Sequence, residues 1–167
     1  MVVSLCEAYR GSPPGDACAG RGLSFSPVRR VRQLTLAPQL AAVPQSRQAI
    51  RETLRAWKLD TVADTVMLLA SELLANAVQA ASAAVPVTGG EQLTLTLRRT
   101  GPGLLVEVWD PNPAPAMPQD PGLADECGRG LLLVEALSSA WGQRTASSGK
   151  IVWCEITLTS ADGQALD

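Results

Sequence analysis

From Arg32 onward the chain moves between two apolar rhythms, one of period two and one near 3.6. Leu34 and Leu36 alternate with Gln33 and Thr35, which predicts a strand wet on one face and ended by Pro38. Ile50, Leu54 and Trp57 recur at helical spacing and predict an amphipathic helix from about Pro44 to Trp57. A longer helix is expected from about Asp60 to Ala84, stopped by Pro86 and the Gly89-Gly90 turn. Leu93, Leu95 and Leu97 then alternate with Thr94 and Thr96 as a second one-sided strand. Gly101-Pro102-Gly103 turns the chain into a third strand, Leu104 to Asp110. Prolines at 111, 113, 115, 118 and 121 bar both helix and central strand, so a surface loop of about sixteen residues follows. A helix from near Gly130 to Ala140, capped by Gly142, precedes a last strand, Ile151 to Leu158, with Val152, Cys154, Ile156 and Leu158 on one face. Strands grouped beside grouped helices predict an α+β fold, a two-layer α/β sandwich with a mostly antiparallel, mixed sheet and helices on one face.

Composition refines this picture. The chain has 167 residues, 46% of them apolar and 18% charged, which suits one domain with a real core. Only six residues are aromatic, so that core must be built from Leu, Val and Ala. The breakers Gly11-Ser12-Pro13-Pro14-Gly15 and Gly20-Arg21-Gly22 predict a flexible tail over residues 1–32, ahead of a domain at 33–160 and a short tail at 161–167. Five Arg and two acids give the first tail +3, open to a partner contact or to simple solvation. The net charge of −2 argues against a dedicated nucleic-acid binder. No basic start precedes an apolar run and no stretch approaches the roughly 18 apolar residues of a membrane span. A cytoplasmic protein without membrane partners is expected. Cys6, Cys18, Cys127 and Cys154 form no CxxC pair and are expected to be reduced. There is no histidine, which excludes Ser-His-Asp and Cys-His catalysis, His-dependent zinc sites and autophosphorylation on histidine.

Three places remain for chemistry. Glu72 and Asn76 stand four residues apart on the long helix, on a stripe with Thr65, Gln79 and Ala83. Either this is a solvated stripe, or it pairs a carboxylate that orients a nucleophile with an amide oxygen that ligates Mg²⁺. Asp110 shares a face with Leu104, Val106 and Val108, opposite Leu105, Glu107 and Trp109, so it points toward the helix layer. It either opens the turn at Pro111 or accepts from a donor such as the exocyclic amino group of adenine. Gly128-Arg129-Gly130-Leu131 precedes a helix, where backbone N–H groups can meet a phosphate or the glycines can act as a hinge. Gly149-Lys150 reads as a hairpin turn entering the last strand.

The order of these pieces carries more than any one of them. Glu72-Leu73-Leu74-Ala75-Asn76-Ala77 on a helix, a strand ending in Asp110, a loop, Gly128-Arg129-Gly130-Leu131 and finally Gly149-Lys150-Ile151-Val152-Trp153 resembles the GHKL ATPase superfamily, whose members include gyrase and histidine kinases. The short single domain and its ending look like the anti-sigma-factor serine/threonine kinases, especially the small actinobacterial ATP-binding regulators. This resemblance spans about residues 33–158 and implies the Bergerat (GHKL ATPase) fold. It implies Glu72 as general base, Asn76 as the Mg²⁺ ligand and Asp110 as the partner of the adenine amino group. Gly128, Arg129, Gly130 and Leu131 would lie along the ATP phosphates, with the preceding loop as a lid and Gly149 near the nucleotide. Two positions depart from the family pattern: Ala80 stands where a histidine is common, and Pro111-Asn112-Pro113-Ala114 follows Asp110 in place of glycines. The partners implied are an anti-sigma antagonist, a sigma factor or both, with a homodimer left open. Two function classes follow, a protein kinase that sequesters a sigma factor and a nucleotide-gated or nucleotide-free binding module without turnover.

Overall fold

The computed structural model describes residues 29–83, 92–116 and 129–159. Strand β1 (Arg30–Leu36) is followed by helix α1 (Ala42–Ala56), a 3₁₀ turn at Asp60–Val62 and helix α2 (Ala63–Ala83). Then come β2 (Leu93–Arg99), β3 (Gly103–Asp110), helix α3 (Arg129–Leu137), β4 (Ala140–Ala146) and β5 (Gly149–Thr157). The five strands form one sheet in the order β1-β2-β3-β5-β4, with every neighbouring pair antiparallel. The expected two-layer α+β sandwich is therefore present, and the described sheet is antiparallel rather than mixed. β1 begins at Arg30, so Arg30–Arg32 belong to the sheet. Residues 1–28 of the expected tail, all of 161–167 and most of the proline-rich loop lie outside the described residues.

The core forms where the period-two faces of the sheet meet α2. Leu93, Leu95 and Leu97 of β2, Leu104, Val106 and Val108 of β3, and Val152, Cys154 and Ile156 of β5 are buried beneath it. α2 presents Ala63, Met67, Ala70, Leu74, Ala77 and Ala81 to the interior, as its pattern predicts, but Val66, Leu69, Leu73 and Val78 are buried as well. α1 and α3 pack on its flanks, so the helix is apolar on more than one side. By length and hydropathy the segment Asp60–Ser82 is apolar enough to cross a membrane, yet here it is the central core helix.

α1 ends in a Schellman motif. Lys58 takes φ +57°, its N–H donates to the Arg55 carbonyl and the Leu59 N–H to the Leu54 carbonyl. Arg99, buried at the end of β2, donates from Nη1 to the Trp57 carbonyl and closes the same helix end.

Two expectations need correction. The helix expected to reach Ala140 stops at Leu137, where the Ser138 hydroxyl turns back onto the Val134 carbonyl. The Ser139 N–H then bonds the Glu155 carbonyl and starts β4. Gly142 is thus a strand residue, not a helix cap, and a Cβ there would stand 2.9 Å from the Trp153 ring. An edge strand needs only one apolar anchor, here Trp141, so it leaves little periodic signal. The face of β3 opposite the helices is also not simply wet. Glu107 is 5% exposed there, its two oxygens taken by Arg98 of β2 and Arg144 of β4.

Two measurements test this core. Leu95→Ala should cost about 2–5 kcal/mol in urea unfolding, whereas Leu68→Ala, at 38% exposure, should fall within about 1 kcal/mol. Burial pushes the Cys154 thiol up to about 12, so at pH 8 it stays protonated and shielded. With Cys6, Cys18 and Cys127 replaced by Ser, a thiol reagent should label Cys154 only when the domain unfolds; rapid labelling of the native state would contradict its placement.

Candidate functional site

Along α2, Glu72, Asn76 and Ala80 follow one another at four-residue steps, so they line one face over about 12 Å. Each meets a different part of the fold. At Glu72 the start of α3 comes close enough that a Cβ on Gly130 would stand 2.6 Å from Glu72 Oε2. At Ala80 the carbonyl accepts a 2.8 Å hydrogen bond from Asn112 Nδ2, which ties the loop after β3 to α2. Between them Asn76 is half-buried, and its Nδ2 is enclosed without a hydrogen-bond partner.

Asp110 ends β3 on the helix side, where period two predicts it, and is 1% exposed. Its register partner on β5 is Lys150, 4% exposed, whose Nζ lies 3.0 Å from Asp110 Oδ1. The Asn112 N–H donates to the same oxygen at 3.0 Å, closing an Asx turn over Pro111, which has no N–H to give. Lys150 Nζ also donates to the Asn112 carbonyl at 2.9 Å. The Asn112 side-chain oxygen accepts from the Ala114 N–H. Asp110 Oδ2 is buried with no donor. Burial raises the Asp110 carboxyl above its usual value, while the Lys150 ammonium and the Asn112 N–H pull it down.

Gly149 explains why the strand can begin there. Its φ of +149° lies in a region open to glycine, and a Cβ would overlap the Asp110 carbonyl oxygen. The glycine thus lets β5 start hard against the Asp110-Pro111 peptide.

Of the residues singled out from sequence, Glu72, Asn76, Asp110, Gly130 and Gly149 gather along the line where α2 meets β3, β5 and α3. Leu131 has its side chain in the core, so only its backbone can face a ligand. Gly128 and the Arg129 side chain lie outside the described residues. Lys150 and Asn112 were not expected to take part. Their signal was a charge on the core face of β5, visible only once that strand is paired with β3. Among the described residues no group of three or more acidic, Cys or His side chains could hold a metal. A divalent ion would rely on Asn76 and on oxygens brought by a ligand.

Gly149→Ala tests the close approach. It should destabilise the domain by at least about 2 kcal/mol in denaturant unfolding, because both backbone strain and overlap oppose it. A variant as stable as the wild type would contradict this packing of β5 against Asp110.

Among known proteins, the family model for the histidine kinase-like ATPase domain matches residues 36–156, a span running from the end of β1 nearly to the end of β5. No curated protein matches the chain. The match encloses every residue of the site just described, within an antiparallel sheet layered on one side by helices. The chain therefore belongs to the histidine kinase-like ATPases, GHKL-type ATP-binding domains.

Proposed function

We propose that this domain binds Mg²⁺-ATP and transfers its terminal phosphoryl group to a Ser or Thr of a partner protein, an anti-sigma antagonist, while binding a sigma factor or similar regulator. The observation that carries the reading is the grouping on α2 of a carboxylate, an amide and a bonded loop, with the start of α3 against the carboxylate. The residues fit an adenine nucleotide. Asp110 Oδ2 is a buried acceptor lacking a donor, which an exocyclic amino group supplies. Bound Mg²⁺-ATP would bring the electrophilic phosphorus and the charge neutralisation that phosphoryl transfer requires.

The chain's own residues then have distinct tasks. The Asn76 side-chain oxygen would ligate the metal, and the N–H groups opening α3 would face phosphate oxygens at the positive end of that helix. Glu72, beside them, would accept the proton of the attacking hydroxyl. The acceptor cannot be a histidine of this chain, which has none. A second reading, a nucleotide-gated or nucleotide-free binding module without turnover, is favoured by the prolines that follow Asp110, which cannot offer an N–H to a ligand.

Calorimetry with Mg²⁺-ATP and transfer of label from γ-labelled ATP to the antagonist separate the two readings. Glu72→Gln should keep nucleotide and partner binding while transfer falls about 10²–10⁴-fold. Asn76→Ala should lose the Mg²⁺ dependence of nucleotide affinity. A wild type that binds ATP and partner but leaves the partner unlabelled would overturn the kinase reading and leave the module.

A further inference from the structure

Among the described residues, Lys150 is the one charged residue at the site to which nucleotide binding by itself assigns no task. Two opposite charges are buried side by side at the end of β3 and β5, an arrangement that apolar residues could replace without loss of stability. What the pair supplies is geometry. Asp110 Oδ1 receives two donors, Lys150 Nζ and the Asn112 N–H, and Oδ2 receives none. Two bonds to one oxygen fix the rotation of the carboxylate and leave the other oxygen free. The second bond of Lys150, to the Asn112 carbonyl, holds the loop whose side-chain amide grips α2 at Ala80.

We propose that Lys150 is a positioning residue for base recognition: by occupying Asp110 Oδ1 it presents Oδ2 alone, as the free acceptor, to the exocyclic amino group of a purine. The proposal rests on the nucleotide-binding reading above and goes beyond it by assigning the selectivity for that amino group to a residue on a different strand from the carboxylate that contacts it. Lys150 itself need not touch the base. If the lysine served only to hold β5 against β3, its loss would weaken every nucleotide alike. A positioning role instead affects only ligands that carry the amino group.

The test compares, by calorimetry on the full chain, Mg²⁺-ATP with Mg²⁺-purine riboside triphosphate, which lacks the 6-amino group. The wild type should prefer ATP roughly 10- to 100-fold, the scale of a hydrogen bond to a charged acceptor. Lys150→Met should cut that ratio at least about fivefold while the affinity for the purine analogue stays within about twofold. Because loss of one partner of a buried pair destabilises a fold, Lys150→Gln, which keeps an N–H donor, is measured beside it and should give an intermediate ratio. The double variant Asp110→Asn with Lys150→Met should bring the ratio near one. A folded Lys150→Met or Lys150→Gln protein that keeps the wild-type ratio, or weakens both ligands equally, would overturn the proposal. A wild type that binds neither ligand would overturn the nucleotide reading itself, and one that binds both equally would remove the role of Asp110.

Discussion

A helix that is apolar on several sides must be enclosed on several sides, and that requirement at α2 organises the domain. The sheet covers one flank, α1 another and α3 a third. What remains is a narrow polar stripe at the seam between α2, α3 and the ends of β3 and β5. Glu72 and Asn76 stand on the stripe that also carries the exposed Asp64, Leu68 and Gln79, the one side of α2 that the core leaves open. The site is thus built into the most constrained element of the fold, and its spacing follows the rise of one helix.

The loop after β3 shows how different residues can meet one structural requirement. Glycines would let the backbone turn freely after Asp110; this chain has prolines, which remove that freedom and also remove donors. Asn112 compensates at three points: its N–H bonds Asp110, its carbonyl accepts from Lys150, and its side chain spans from Ala114 to α2. The helix position held by Ala80 contributes through its backbone, as the carbonyl that Asn112 grips. The two departures from the family pattern are therefore joined by one hydrogen bond.

What could be read in advance was whatever depends on neighbours along the chain. Alternation placed Leu93–Leu97 and Leu104–Val108 on the core face and put Asp110 beside them, and the four-residue step joined Glu72 to Asn76. What stayed hidden depends on pairing across the chain. β4 has a single apolar anchor, so its residues read as the end of a helix until β5 lies next to them. Lys150 looks like a turn residue until the register sets it opposite Asp110. Glu107 looks like a solvated acid until Arg98 and Arg144 converge on it. Gly149 announced a turn, but the need for it lies in a carbonyl almost forty residues earlier.

The trio on the outer face carries a consequence for how the molecule behaves in company. The helices shield one side of the sheet; on the other, Trp109, Ile151 and Trp153 are only half-buried. Such a surface, left plain, invites a second sheet to stack on it. Arg98, Glu107 and Arg144 lie across its middle, spanning from β2 to β4, and the carboxylate at their centre is enclosed by its own partners. Covering that face would also mean taking two guanidinium groups out of water. The same three residues that knit the strands together also break up this half-buried apolar face with charge.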